Sequence, residues 1–215
     1  MNESDAPIEF PSLYAILDPS QLKGISELDA ARRLVEAGVK LIQYRDKHAS
    51  SRQLCMTALR LVEIVSGVEG DLIVNDRPDV AFLTGASGVH VGQEDIPVES
   101  VRSILGEDAV IGLSTHTLQQ VRDGEQTSAD YLAFGPIFAT ASKDNPHVVV
   151  GLEGLKKARQ ATTKPLVAIG GITLETAPRV LAAGADSVAV IRDLIGVDDI
   201  GERAGRYLQT LESVG

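Results

Sequence analysis

The chain has one cysteine, Cys55. Without a second thiol there is no intramolecular disulfide, and a single reduced cysteine fits a reducing compartment. Its neighbours Leu54, Met56, Leu59 and Leu61 mark it as part of a helix packing face, with no base beside it in sequence. Basic runs are also missing. Asp and Glu number 30 against 20 Lys and Arg, and nothing resembles the basic stripe that tracks a phosphate backbone, which argues against nucleic acid as a partner. No apolar run reaches membrane-spanning length. The N-terminal MNESDAPIEF has neither the positive region nor the apolar stretch of a secretory signal, so the expected location is the cytoplasm, with no membrane partner. Nucleophile elbow, P-loop and dinucleotide fingerprint are absent. None of His48, His90, His116 and His147 has metal-ligand spacing to another, and all four read as structural or solvated.

What is present is a core. Hydrophobic residues make up 44% of the 215, enough for a domain of the barrel or open-sheet kind. After a polar tail over residues 1–10, extended apolar runs alternate with segments of helical spacing. Strands are expected at 13–17, 41–45, 72–74, 88–91, 110–114, 131–135, 165–169 and 187–191. Helices are expected at 26–37, 51–65, from 77 onward, and at 98–105, 118–126, 152–161, 174–183 and 199–211. An open doubly wound sheet would also alternate. Eight strands, each followed by a helix without a linker, instead predict an α/β fold: a single (β/α)₈ barrel over residues 11–215. In such a barrel the active site lies at the C-terminal strand ends.

The residues that follow the strands are polar. Asn75 and Asp76 close the third strand, and Gln93, Glu94 and Asp95 follow the fourth. Parallel neighbours would bring Asp76 and Asp95 to one rim, where two carboxylates suit a hard divalent cation that also takes water and phosphate oxygens. Each Asp also stands shortly before a proline, Pro78 or Pro97, and reads equally as the cap that starts a helix. Gln43, Arg45 and Lys47 alternate in QYRDK and project to one side, which suggests a diphosphate bridged to a metal; solvated charges at a strand end are the plainer reading. In FGPIFATASK, Thr140, Ser142 and Lys143 could hold phosphate or merely stabilise a turn, and the long loop over residues 139–150 suggests a functional lid. Gly170 and Gly171, with the amides of Ile191 and Arg192, follow the seventh and eighth strands, where barrels commonly bind phosphate.

The ordered set QYRDK, VNDRPDVA, GVHVGQED, IGLSTHT, FGPIFATASKD, GLEGL, AIGGI and AGADSVAVI resembles the thiamine-phosphate synthase family, from Leu13 to Ile195. The resemblance implies a (β/α)₈ transferase that joins 4-amino-2-methyl-5-pyrimidinylmethyl diphosphate to a thiazole phosphate, with Mg²⁺, through dissociative loss of diphosphate. It implies a pyrimidine diphosphate site of Gln43, Tyr44, Arg45, Asp46, Lys47, Asn75, Ser114 and Lys143, among which Arg45, Lys47, Ser114 and Lys143 serve catalysis. It implies Asp76 and Asp95 as metal ligands, and Thr140, Ala141, Ser142, Gly171, Ile191 and Arg192 around the thiazole phosphate. Small-molecule substrates are the implied partners, and a homo-oligomer is compatible with the family. Two features depart from the family pattern: Arg192 replaces a usual Ser, and Ser142 a usual Thr. Two alternatives stand beside this reading. A thiazole tautomerase relative would carry His where this chain has Pro136 and would lack the paired aspartates. A non-catalytic barrel binding a phosphorylated ligand would not need Asp76, Asp95 and Lys47 together.

Overall fold

The computed structural model describes residues 10–140 and 148–213. Within them the chain runs β1 (Leu13–Leu17), α1 (Glu27–Glu36), β2 (Leu41–Tyr44), α2 (Ser51–Ser66), β3 (Asp71–Asn75), α3 (Pro78–Thr84), β4 (Gly88–Val91) and α4 (Val98–Leu105). It continues through β5 (Val110–Thr115), α5 (Leu118–Glu125), β6 (Tyr131–Phe134), α6 (Gly151–Arg159), β7 (Leu166–Ile169), α7 (Ala177–Ala182), β8 (Ser187–Val190), α8 (Arg192–Ile195) and α9 (Ile200–Glu212). The eight strands close into one parallel barrel in sequence order, β1 pairing with β8.

Local chemistry explains the element boundaries. Ser26 caps α1 by accepting the Asp29 amide, and Ser50 and Gln53 form a reciprocal capping box at the start of α2. Asp199 does the same for α9 through the Glu202 amide. The strands are buried on both faces, as the wrapping helices of a parallel barrel require.

Strand alternation splits the core into two layers. Inside the barrel lie Tyr14, Ile16, Leu41, Ile73, Tyr131, Ala133, Val167 and Ala189. The alternate positions, such as Ile42, Tyr44, Val74, Leu132 and Phe134, pack outward against the helices. Phe10, expected in the polar tail, packs its ring 4.7 Å from that of Tyr131. Cys55 is half-buried on α2 and packs against the outer layer. Among the described residues no helix is long and apolar enough to cross a membrane.

Two elements differ from the sequence-based expectation. The helix expected from residue 174 begins only at Ala177, because Thr173 and Thr176 form a local turn in which the Thr176 hydroxyl accepts the Thr173 amide. The four-residue α8 was not expected at all, since one helical turn carries no readable periodicity.

Candidate active site

A cleft with an empty volume of about 690 Å³, including its open mouth, lies at the C-terminal ends of the strands. Gln43, Arg45 and Lys47 line it from β2 and its exit, as their alternation predicts. Asn75, Asp76, Asp95 and Ser114 line it from the next three strand ends, and Ile191 from the eighth.

The aspartates are not helix caps. Arg77 stands at the N-cap of α3 and Pro97 at that of α4, neither with a side-chain cap. Asp95 Oδ2 instead accepts the Gly92 amide at 2.7 Å within its own loop. Asp76 has a backbone φ of 61°, the left-handed region that non-glycine residues seldom adopt. Its amide donates to the His90 carbonyl at 2.8 Å, which ties the strained residue to the next strand. The register Asn75↔His90 between β3 and β4 then sets the two acidic side chains against each other.

The electrostatic result is a strained acid. Burial and then the adjacent Asp95 carboxylate push the Asp76 acid up from the ordinary carboxylate range, while Lys47 and Asn75 pull the other way. Lys47 Nζ lies 3.7 Å from Asp76 Oδ2, with the lysine side chain largely exposed. Among the described residues no group of three or more His, Cys, Asp or Glu forms a fuller metal cage. The pair does fit a hard cation of the magnesium type, which takes one or two protein carboxylates and fills its remaining positions with water and phosphate.

The three donors of QYRDK are not equally available. Gln43 is buried and donates from Nε2 to Tyr14 Oη at 2.9 Å. Arg45 is ion-paired to the buried Asp18, which also accepts the Ser20 amide at 3.0 Å. A guanidinium has five N–H donors, so Arg45 retains others for the cleft. Lys47 alone stands mostly in solvent.

Several expected site residues lie elsewhere. The Tyr44 side chain faces outward, against Thr57 and Glu27 of the first two helices, because it occupies the opposite parity to Gln43 and Arg45. Asp46 folds its carboxylate onto the amides of His48 and Ala49 at 2.9 and 3.0 Å, shaping the loop rather than the cleft. Gly171, with a φ of 63°, is not part of the lining: a Cβ there would strike Ala139 O and Phe138, so its bare backbone allows the loops after β6 and β7 to touch. Thr140 belongs to that same loop and is likewise outside the lining. Arg192 directs Nε to Gln21 Oε1 at 3.3 Å, away from the cleft, while its backbone opens α8. Ala141, Ser142 and Lys143, with His147, lie outside the described residues.

Other residues line the cleft without having been expected to. His90 is buried there, its Nδ1 2.9 Å from Tyr131 Oη and its Nε2 2.8 Å from Ser114 Oγ. His116, expected to begin a helix, sits at the exit of β5 with Nδ1 2.7 Å from the Gly135 carbonyl. Both histidines therefore do more than fill space, although neither has metal-ligand spacing. The inward parity of Tyr14 and His90 was readable from their strands, but their partners were not.

The family model described as thiamine monophosphate synthase matches residues 13–194. A thiamine-phosphate synthase of Koribacter versatilis (strain Ellin345) is 45% identical over 210 residues, covering 96% of this chain and 98% of the relative. Another, from Chloroflexus aurantiacus (strain ATCC 29366 / DSM 635 / J-10-fl), is 41% identical over 202 residues, covering 94% and 93%. The solved thiamine phosphate pyrophosphorylase of Pyrococcus furiosus superposes with a TM-score of 0.87 at 32% identity, over 94% of this chain and 96% of that one. The matched residues span the barrel from its first strand into the short helix behind the last, and the chain belongs to the thiamine monophosphate synthase family, a transferase of thiamine biosynthesis.

Proposed function

We propose that this protein joins 4-amino-2-methyl-5-pyrimidinylmethyl diphosphate to a thiazole phosphate, with or without a carboxylate, yielding thiamine phosphate and diphosphate. The observation that carries this reading is the apposed Asp76 and Asp95 beside Lys47 and Arg45 on one rim. Anionic and cationic groups so arranged suit a diphosphate that arrives with a divalent cation. Mg²⁺ held by Asp76 and Asp95 would supply charge neutralisation for the departing diphosphate.

The protein's own groups do the remainder. Arg45 and Lys47 line the cleft and, with Lys143 as a third cation, stabilise the growing charge of the leaving oxygens as the carbon–oxygen bond to the pyrimidinylmethyl carbon breaks. The thiazole ring nitrogen then donates its electron pair to that carbon. The nitrogen carries no proton, so the step needs no general base, which suits a rim without an acid–base histidine at its acidic pair. Gln43, Asn75 and Ser114 orient the pyrimidine, and holding both rings face to face replaces a bimolecular encounter. Thr140, Ala141, Ser142, Gly171 and the amides of Ile191 and Arg192 hold the thiazole phosphate. For Gly171 and Thr140, whose positions are outside the cleft lining, the role assigned is through backbone at its edge.

The test is a coupled assay of purified protein with both substrates. Thiamine phosphate should form with Mg²⁺ and not in chelator. Asp76→Ala should lower turnover on the order of a hundredfold or more. Full turnover in chelator or in that variant would discard the reading.

A further inference from the structure

Five side chains from five strands form one unbroken hydrogen-bonded chain beneath the cleft. Gln43 Nε2 donates to Tyr14 Oη at 2.9 Å, and Tyr14 Oη lies 2.9 Å from Tyr131 Oη. Tyr131 Oη lies 2.9 Å from His90 Nδ1, and His90 Nε2 lies 2.8 Å from Ser114 Oγ. Both ends, Gln43 and Ser114, line the cleft. From this we infer that the chain is a one-way relay, in which Tyr14 and Tyr131 are positioning residues that fix the polarity of what the cleft floor offers: an acceptor at Gln43 and a donor at Ser114.

The direction follows from counting protons. An amide nitrogen can only donate, so Tyr14 Oη accepts from Gln43. The one phenolic proton of Tyr14 then has Tyr131 as its acceptor. The proton of Tyr131 passes in turn to His90 Nδ1, which must be unprotonated to receive it. His90 is thereby the tautomer with its hydrogen on Nε2, and that hydrogen goes to Ser114 Oγ. The serine keeps its own proton to give to the cleft. On the other end, Gln43 Nε2 is spent on Tyr14, and Oε1 remains for a ligand. With the Gln43 amide turned so that Nε2 meets Tyr14 Oη, any other assignment leaves a buried hydroxyl proton or lone pair unmatched, which costs more than the bond it replaces.

Two observations support the count. Burial is the largest influence on both phenols and pushes them up, so each carries its proton throughout the working pH range. At Gly112 a Cβ would collide with Tyr131 Cζ and His90 Nδ1, so this position on β5 keeps open the space in which those two groups meet.

The consequence for substrate class rests on the function proposed above. A floor with an acceptor at Gln43 and a donor at Ser114 favours a heterocycle that presents an N–H to the first and a ring nitrogen to the second, as the aminopyrimidine proposed above can. An oxo-pyrimidine sets a carbonyl oxygen against Gln43 Oε1 and meets a mismatch there, while the serine hydroxyl has a lone pair left with which to accept a ring N–H.

The tautomer can be read without turnover. In protein labelled with ¹⁵N-histidine, long-range ¹H–¹⁵N correlation spectra distinguish the two neutral tautomers, and the His90 signal is identified by its loss in His90→Asn. A single form protonated at Nε2 is expected at neutral pH; a form protonated at Nδ1, or at both nitrogens, overturns the relay. Tyr131→Phe should shift that signal toward a mixture of forms and raise KM for the pyrimidine diphosphate about tenfold, with kcat changed less than about threefold. It should also narrow the preference of the enzyme for the amino substrate over its oxo analogue. An unchanged tautomer in folded Tyr131→Phe overturns the role of that residue, and Tyr14→Phe gives the same reading if Tyr131→Phe does not fold. Failure of the coupled assay with the Nε2 form intact would sink the proposed function and leave the relay standing.

Discussion

The two ends of the barrel treat charge differently. At the N-terminal ends of the strands two arginines and a lysine are tied to carboxylates and carbonyls. Arg102 of α4 pairs with Asp130 at 2.7 Å and donates to the carbonyls of Gly106, Ala109 and Ser128, at 3.0, 2.5 and 2.9 Å. Asp130 Oδ2 also accepts the Ile111 amide of β5 at 2.7 Å. The same device recurs two units later. Arg159 of α6 pairs with Asp186 at 2.6 Å and donates to the carbonyls of Thr162 and Lys164, while Asp186 accepts the Leu166 amide of β7 at 2.7 Å. Lys164 Nζ ties down the carbonyls of Thr127 and Ala129 at 2.5 and 2.6 Å, and its burial draws that ammonium down.

At the C-terminal ends Arg45 and Asp18 are paired as well, but one site breaks the rule. Two like charges are pressed together at Asp76 and Asp95, and one of them sits in a strained backbone conformation. The difference teaches how the molecule divides its labour: the N-terminal end of the barrel holds the strands in register, so that the rim can tolerate an unfavourable arrangement of charge and backbone.

Substitutions at either end sharpen this contrast. The largest effect on stability is expected from Arg102→Ala, which strands a partly buried Asp130 and several carbonyls. Urea unfolding should show a loss of about 3 kcal/mol, with turnover per folded molecule unchanged. Arg159→Ala removes the same device where both partners are more exposed, 27% and 46% of their side chains, and should cost about 1.5 kcal/mol. A loss of catalysis without loss of stability in either variant would break the division.

At the rim the sign should invert. Asp95→Asn removes the like charge and should stabilise the metal-free protein at neutral pH by about 1 kcal/mol and, on the function proposed above, should abolish turnover. The pH dependence follows from the raised Asp76 acid. The folded state holds that proton more tightly than the unfolded chain, whose carboxyl titrates near ~3.9. The resulting stabilisation is complete below that value and is lost as pH rises through the folded-state pKa of Asp76. Unfolding free energies of wild type and Asp95→Asn, measured in chelator, should therefore diverge as the pH rises across that interval. Parallel curves would mean that the two carboxylates do not oppose each other.

Much of the architecture was legible in the chain because its causes are local. The apolar runs Leu13 to Leu17 and Gly88 to Val91 coincide with β1 and β4, and Val98 to Leu105 with α4, since period-two and period-3.6 patterns are written in consecutive residues. Parity on β2 was enough to send Gln43, Arg45 and Lys47 to the cleft, and the same parity excludes the side chain of Tyr44, which family resemblance alone had grouped with them. What α8 lacks is length, so no periodicity could announce it.

By itself, then, the sequence determined the order and kind of the elements, the closure they would seek, and the end of the barrel that would carry polar groups, because side-chain alternation and capping act over a few residues. Only the tertiary structure decided whether Asp76 was a cap or half of a pair, because the answer depends on the register of two strands. It also decided the route from Gln43 through Tyr14, Tyr131 and His90 to Ser114: Tyr14 and Tyr131 stand 117 residues apart, and no local pattern in either strand specifies which hydroxyl the other will meet inside a closed barrel.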